Sequence, residues 1–455
     1  MSGSDDPEAV DGASELERTI GLPGAITIGV GTMIGAGIFV FPGLAAGRAG
    51  PAATVSFAIG AGVALLVALP TAELATAMPE SGGGYYFVSR GLGGVFGGTV
   101  GVSLTFGLVF AAAFYLVGFG EYAVAALAEA GLRVAIPAAI GPLSDVYALA
   151  IGAGLALTAL GIVGTENAES LQNALVGLLV AILLVVLARS ALDVFGLLGG
   201  SRVPEEFVPY GYGAVFSTAA LVFTSYLGFA QIATVAGEIV EPDRTLPVAL
   251  VGSVLFVGAL YVVTVFVAAS TFEPAALVEL GETATAEIAR AYLGPVGAIA
   301  ALVAGFLATL SSANASLLSG SRTVHALSRD GLAPERTARV SQRYGTPHFA
   351  LSLVGGLAVA LVVVGPIETL AEVASFLHLL MYGLMCVTQI RLRRSDPAWY
   401  EPTFRCPATP WVSIGGAVAS AGLLAFMQPL SQVVGLAVTG FGTAWYYVYG
   451  SPPEM

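Results

Sequence analysis

The sequence predicts an all-α membrane protein of twelve membrane-crossing helices, and three observations carry that prediction. Hydrophobic residues fill 56% of the 455 positions and charged residues only 10%, against roughly a quarter charged in ordinary soluble proteins. Mean hydropathy is +0.86. Apolar runs recur along the whole length, each near the ~20 residues that span a hydrocarbon core as a helix and each bounded by Pro, Gly or charge.

In chain order, the opening MSGSDDPEAVDGASELERT has acidic and small polar residues instead of a basic start followed by an apolar core. It is not a cleavable signal peptide, and residues 1–19 read as a disordered cytoplasmic tail. The predicted spans are 22–47, 51–77, 95–128, 143–163, 168–190, 213–237, 246–271, 294–321, 348–365, 369–390, 410–428 and 432–450. Spans one to ten, within 20–392, form one core. Residues 393–455 hold two peripheral helices and a short C-terminal tail.

The first span contains GVGTMIGAGIF at 29–39, with Gly29, Gly31, Gly35 and Gly37 where glycine is the weakest ordinary helix former. Two explanations are open. One is close helix packing through small-xxx-small spacing, here Gly31-xxx-Gly35. The other is a discontinuous helix, tolerated in a membrane only where it is buried in protein or lines a cavity. Its second half offers free N–H groups and a positive dipole end to an anion. The sixth span, FTSYLGFAQIATVAGE at 223–238, is interrupted as well, by Thr224, Ser225 and Gly228. Paired interruptions at corresponding positions of two halves point to a transporter built from inverted repeats, with its site at the bilayer midplane.

Charge sets the orientation. All 17 basic residues are arginine. With the N-terminus inside, twelve of them, from Arg18 to Arg405, fall on the cytoplasmic side, and Arg48, Arg133, Arg189, Arg202 and Arg290 fall outside. That bias fits the positive-inside rule with both termini cytoplasmic and the protein in the cell membrane. The net charge of −13 and absent lysine fit a halophile with solvated acidic loops; an arginine-using genome with short acidic loops is the plainer alternative. Cys386, in a span, and Cys406, in a cytoplasmic loop, suggest no disulfide in a reducing compartment.

GVGTMIGAGIFVFPG at 29–43, ELATAMPESGGGYYFVSRGLG at 73–93, GEIVEPDRTLPVAL at 237–250 and LSRDGLAP at 327–334 resemble, in order, the signature segments of the amino acid–polyamine–organocation permeases. The resemblance covers nearly the whole chain. It implies the five-plus-five inverted-repeat fold of the sodium-coupled leucine transporter, with discontinuous first and sixth helices, and amino-acid-type transport by alternating access.

Carried over residue by residue, the resemblance implies that N–H groups near Gly35, Ala36 and Gly37 receive the substrate carboxylate. The carbonyls of Ile34 and of the sixth span near Thr224, Ser225 and Leu227 would receive the α-ammonium. A zwitterion needs such paired N–H and C=O clusters, and two broken helices supply both without a buried full charge. Phe114 and Tyr115 on the third span, and Phe223, Tyr226 and Phe229 on the sixth, are candidates to meet the side chain, although aromatic residues in a span more often simply pack. No unpaired acidic residue sits clearly at the midplane, which favours neutral amino acids.

A chain without lysine cannot carry the G-x-x-x-x-G-K-[ST] phosphate loop, so transport would be secondary. Many members of the resembled family place a lysine seven residues after a glutamine that corresponds to Gln172; here that position is Leu179, a departure. On the eighth span, FLATLSSANAS, Ala308, Ser311 and Ser312 share one helical face and resemble the carbonyl and hydroxyl pair of sodium-coupled relatives. With the carbonyls of Gly31 and Ile34 they make five oxygen donors suited to a small hard cation. Sodium is therefore the expected coupling ion, while hydrogen bonding within the helix or to a neighbour is the plainer role for each serine. His378, in SFLHLLMYGL of the tenth span, is the rival proton carrier, being ionisable at membrane depth, or else a neutral buried histidine with its hydrogen bonds made. His325 and His348 flank cytoplasmic loops.

Glu73 and Glu80 bracket the cytoplasmic end of span two, with Glu238, Arg244 and Arg329 at neighbouring ends. They read as solvated charge or as an intracellular gate, with Arg48 and Glu121 assigned to the outer side. No His/Cys/carboxylate cluster or nucleophile–base pair supports an enzyme, and no nucleic-acid partner or cofactor is expected beyond the possible sodium ion. A channel is disfavoured for want of polar rings. A proton-coupled symporter, an exchanger, and a non-transporting sensor or partner-stabilising subunit remain the alternatives. Oligomeric state is not encoded in any feature found.

Overall fold

The computed structural model describes residues 18–80, 82–132, 144–163, 168–197, 204, 206–341 and 344–450. Most of the N-terminal tail and residues 451–455 fall outside it, as do the side chains of Ala36 and of residues 168–176, Gln172 among them. Among the described residues the chain is helical throughout. Its one β-type pairing is an isolated bridge between Ile20 and Ile239. That bridge holds Thr19 as well, whose N–H donates to the Glu238 carbonyl at 3.0 Å; residues 1–17 of the predicted tail lie outside the described residues.

The helices are α1 (Leu22–Ala49), α2 (Ala53–Ala77), α3 (Gly83–Leu92), α4 (Gly94–Glu129), α5 (Asp145–Val163), α6 (Ala168–Val194), α7 (Gly211–Val222), α8 (Gln231–Thr234), α9 (Pro242–Thr271), α10 (Pro274–Leu280), α11 (Ala284–Arg329), α12 (His348–Val364), α13 (Ile367–Ser395), α14 (Trp411–Ala425) and α15 (Pro429–Tyr449). Each of the twelve apolar ranges falls on one of these helices or on the α7–α8 run. Among the described residues, eight stretches are long and apolar enough to cross a membrane by length and composition.

α1 is central. It packs against α9, α11, α10 and the segment joining α7 to α8, and its residues from Met33 to Gly43 with described side chains are all buried. The helix leaves helical geometry at Gly35 (φ −4°, ψ −128°). Gly29 and Gly37 serve close packing. A Cβ on Gly29 would come within 2.6 Å of Ile232 Cδ1, and one on Gly37 within 2.8 Å of the Ser225 side chain. The cluster thus contains a helix break at Gly35 and close packing at Gly29 and Gly37, rather than across the Gly31-xxx-Gly35 spacing. Further along, Pro42 has no N–H to give the Ile38 carbonyl, and the Thr285 hydroxyl supplies one at 3.1 Å.

Between α7 and α8 the chain tightens into a 3₁₀ helix over Phe223–Ala230. Eight residues of 3₁₀ geometry is long for a form usually limited to three or four. The sixth span is thus interrupted by overwinding instead of by a gap. Here it touches α1 backbone to backbone: a Cβ on Gly228 would lie 2.6 Å from Met33 N and from Thr32 C.

α11 differs from its predicted range. It bends at Gly294 (φ 67°), a left-handed conformation that suits glycine, and the following Pro295 cannot donate to the preceding turn. Ala284–Leu293 therefore forms a separate arm before the predicted span begins. α14 packs on α13 and α2, and α15 packs on α4 and α13.

The α1 contact generates a test. Gly228→Val should lower stability by about 1–3 kcal/mol, as overpacking does, because the atoms it meets are backbone. Gly252→Ala, with open space around its Cβ, should leave thermal unfolding in detergent unchanged or slightly raise its Tm.

Candidate functional site

At the break the helix dipoles and hydrogen-bond ladder of α1 are interrupted in the middle of the protein. A helix that restarts after such a break presents first-turn N–H groups with no intrahelical partner and a positive dipole end. Here those belong to the residues that follow Gly35. The carbonyl side is satisfied by hydroxyls from other helices. Tyr261 of α9 donates to the Met33 carbonyl at 2.5 Å and lies 3.3 Å from the Ser225 carbonyl, so one phenol links both interrupted segments. Tyr382 of α13 donates to the Leu227 carbonyl at 3.0 Å. Thr32 lies 2.9 Å from the Gly228 carbonyl.

The structure brings several sequence candidates together at this point. Ser225 lies with its hydroxyl against Gly37, buried, and that oxygen has no hydrogen-bond partner among the described residues. Ser312 of α11 sits directly against Gly35, with Ala308 buried one turn before it and Ser311 half-buried beside it. Tyr115 is buried and stacks obliquely on Phe114 (5.2 Å between centroids), within electrostatic reach of Tyr261 and Tyr382. Gly31 and Ile34 lie within the turn and a half before the break, Ile34 buried.

Other candidates turn elsewhere. The Thr224 hydroxyl donates to Ala371 of α13 at 2.6 Å. Tyr226 donates to the Phe57 carbonyl of α2 at 2.8 Å and its ring fills the space over Gly60, so its side chain supports the site from behind. Phe223 and Phe229 flank Tyr382, at 6.1 and 5.1 Å between centroids. His378 is buried beside Gly107 of α4, with Nδ1 2.8 Å from the Ala374 carbonyl of its own helix. Tyr261 and Tyr382 were missed in the sequence. Their only signal was a hydroxyl inside an apolar span, which must find a partner.

A cation held here would meet neutral oxygens. Among the described residues no group of three or more His, Cys, Asp or Glu side chains is placed to hold a metal ion. Neutral carbonyl and hydroxyl donors fit a monovalent hard cation better than a divalent one, which usually recruits carboxylates.

The ends of the helices carry ion pairs. Glu73, at the end of α2 and 0% exposed, receives both arms of Arg393 at 2.7 Å, the Tyr400 hydroxyl at 2.9 Å and the Cys406 N–H at 2.6 Å. The partner is thus Arg393 and the linker between α13 and α14, in place of Arg244 or Arg329. Burial and the Glu73 carboxylate hold the Tyr400 hydroxyl well above its usual range, so it remains a donor at ordinary pH. Burial likewise raises the Cys406 thiol. Nearby, Tyr85 of α3 donates to Asp330 at 2.6 Å. At the opposite ends, Arg48 pairs with Glu372 at 3.5 Å, not with Glu121, and Arg290 bridges Glu287 and Glu129. Of the two cavities described, neither adjoins the break. One is an apolar groove along α4, α5 and α11, and the other lies at Glu80, Tyr86, Arg90 and Trp399.

The sequence profile of the family described as amino acid permease matches residues 20–451. A branched-chain amino acid permease of Bacillus subtilis is 29% identical over 88% of this chain and 86% of its own length. An uncharacterised transporter of Mycobacterium tuberculosis is 30% identical over 95% and 92%. A branched-chain amino acid permease of Lactococcus lactis is 27% identical over 94% and 93%.

The Glu73 cluster predicts a reporter. Removing one partner of a buried ion pair costs about 3–5 kcal/mol, so Glu73→Gln should loosen the α13–α14 linker. In a Cys386→Ser background, Cys406 should alkylate with iodoacetamide at least about tenfold faster in Glu73→Gln, since each 1.36 kcal/mol of easier opening is tenfold. Unmutated Glu73 should keep it slow even at pH 8.

Proposed function

The chain belongs to the amino acid permease family of the amino acid–polyamine–organocation superfamily, a family of membrane transporters and not of enzymes, and from that premise we propose that it imports neutral amino acids by sodium-coupled alternating access. It is a multi-pass membrane protein. In this reading it has twelve spans, the first ten forming a five-plus-five inverted repeat, and both termini face the cytoplasm.

The observation that carries the reading is the meeting of Gly35, Ser312, Ser225 and Tyr261. A broken helix there sets N–H donors facing an anion beside the buried Ser225 hydroxyl, which has no hydrogen-bond partner among the described residues. The substrate carboxylate takes the N–H groups of Gly35, Ala36 and Gly37. The α-ammonium takes carbonyl oxygens of Ile34 and of the 3₁₀ segment, whose second lone pairs remain after Tyr261 and Tyr382 have donated. Sodium is held by the Gly31, Ile34 and Ala308 carbonyls with the Ser311 and Ser312 hydroxyls, the last already against the break. Leu179, where related chains carry lysine, is buried and apolar, so no ammonium stands in for the ion.

Two relatives named for branched-chain amino acids favour a neutral, aliphatic side chain for this chain too. Taken as the side-chain end of the site, the buried aromatics Phe114, Tyr115 and Tyr382 suit one. The wider set of relatives includes a methylthioribose transporter of Bacillus subtilis, so substrate choice is decided at the side-chain end of the site. Alternating access would break the Glu73–Arg393 and Arg48–Glu372 pairs in turn as each end opens.

In proteoliposomes, uptake of radiolabelled neutral amino acids should follow an imposed sodium gradient. Ser312→Ala should raise the sodium concentration for half-maximal uptake by about tenfold, the loss of one oxygen donor to a charge. Uptake that ignores sodium, follows pH and disappears in His378→Ala would make the proton the coupling ion. Uptake that needs only internal amino acid would make the protein an exchanger.

A further inference from the structure

A cavity of about 370 Å³ opens between the turn after α2, helix α3 and the α13–α14 linker, lined by Met78, Pro79, Glu80, Tyr86, Arg90 and Trp399. Its size lies within the range of small-molecule sites. Opposite charges line it. Tyr86 lies between them, interacting with the Glu80 carboxylate and the Arg90 guanidinium, and Arg90 sits 5.6 Å over the Tyr86 ring. The apolar part of the lining comes from Met78, Pro79 and Trp399, the last 50% exposed.

We propose that this cavity is a second amino acid site, separate from the broken-helix site, at which imported product slows further import. Arg90 receives the carboxylate, Glu80 the ammonium, and Trp399 covers an apolar side chain. A zwitterion matches the paired opposite charges of Glu80 and Arg90, both exposed at the mouth of the cavity, through charge-assisted hydrogen bonds to each. The coupling is structural. Trp399 packs at 6.0 Å against Tyr400, and Tyr400 donates to Glu73 in the cluster that fastens α2 to Arg393. An occupant touches the α2–α3 turn, α3 and the linker at once, and so holds that end closed. The inference rests on the transport reading above for its orientation, which opens the cavity to the cytoplasm where product collects.

Two measurements test it. In purified protein, L-leucine should shift the tryptophan emission saturably; Trp399→Phe should abolish the shift, and Arg90→Gln should weaken binding by about tenfold or more. In proteoliposomes preloaded with L-leucine, initial uptake should be slower than into empty ones, and Arg90→Gln and Trp399→Ala should each relieve the slowing while leaving the rate into empty vesicles unchanged. An emission shift that survives Trp399→Phe intact, no shift at all, or slowing equal in wild type and variants would overturn the second site. Absence of uptake into empty vesicles for every neutral amino acid would instead count against the transport reading, and the emission titration would still decide the cavity.

Discussion

Hydrocarbon supplies no partner to a backbone N–H or C=O, so a helix can break inside a membrane only where the protein itself takes up the freed groups. The interruption of α1 at Gly35 depends on that constraint. The Met33 carbonyl is met by Tyr261, Leu227 by Tyr382, Gly228 by Thr32, and Ile38, orphaned by Pro42, by Thr285. Four donors from four different helices converge on two irregular segments. The glycines that surround the break let those helices approach closely enough to reach. In the proposed function, the groups this broken helix leaves over are the ones that receive the ligand.

The same economy shapes the ends. Glu73 is fully buried and would be costly alone, yet four hydrogen bonds from three places on the α13–α14 region surround it. The region beyond α13 is therefore fastened to α2. Arg48 and Glu372 tie α1 to α13 at the other end. α13 takes part in both pairs, and the same helix carries Ser375, His378 and Tyr382.

Much of the fold was legible because a membrane enforces one signal, an apolar run of fixed length, and each such run falls on helix in the structure. The break at Gly35 was legible as well, since glycine density inside a span has few causes. What could not be read were features made by distant pairs. Glu73 and Arg393 are 320 positions apart, and Tyr261 and Met33 are 228 apart; nothing local in either residue names its partner. The form of the second interruption was hidden too. Thr224, Ser225 and Gly228 mark a disturbance, but whether the chain unwinds or overwinds depends on Gly228 meeting the α1 backbone. The start of α11 was missed because Gly294 and Pro295 look like a boundary, whereas here they bend a helix that continues on both sides.

The central claim is that the α1 break at Gly35, faced by Ser225 and Ser312, holds the amino acid backbone of the substrate. An experimental structure with a transported amino acid bound tests it most directly. The account predicts the carboxylate within hydrogen-bond distance of the N–H groups at Gly35 to Gly37 and the ammonium against carbonyls of Ile34 and the 3₁₀ segment. An amino acid bound elsewhere, with the Gly35 turn closed over by protein alone, would contradict it.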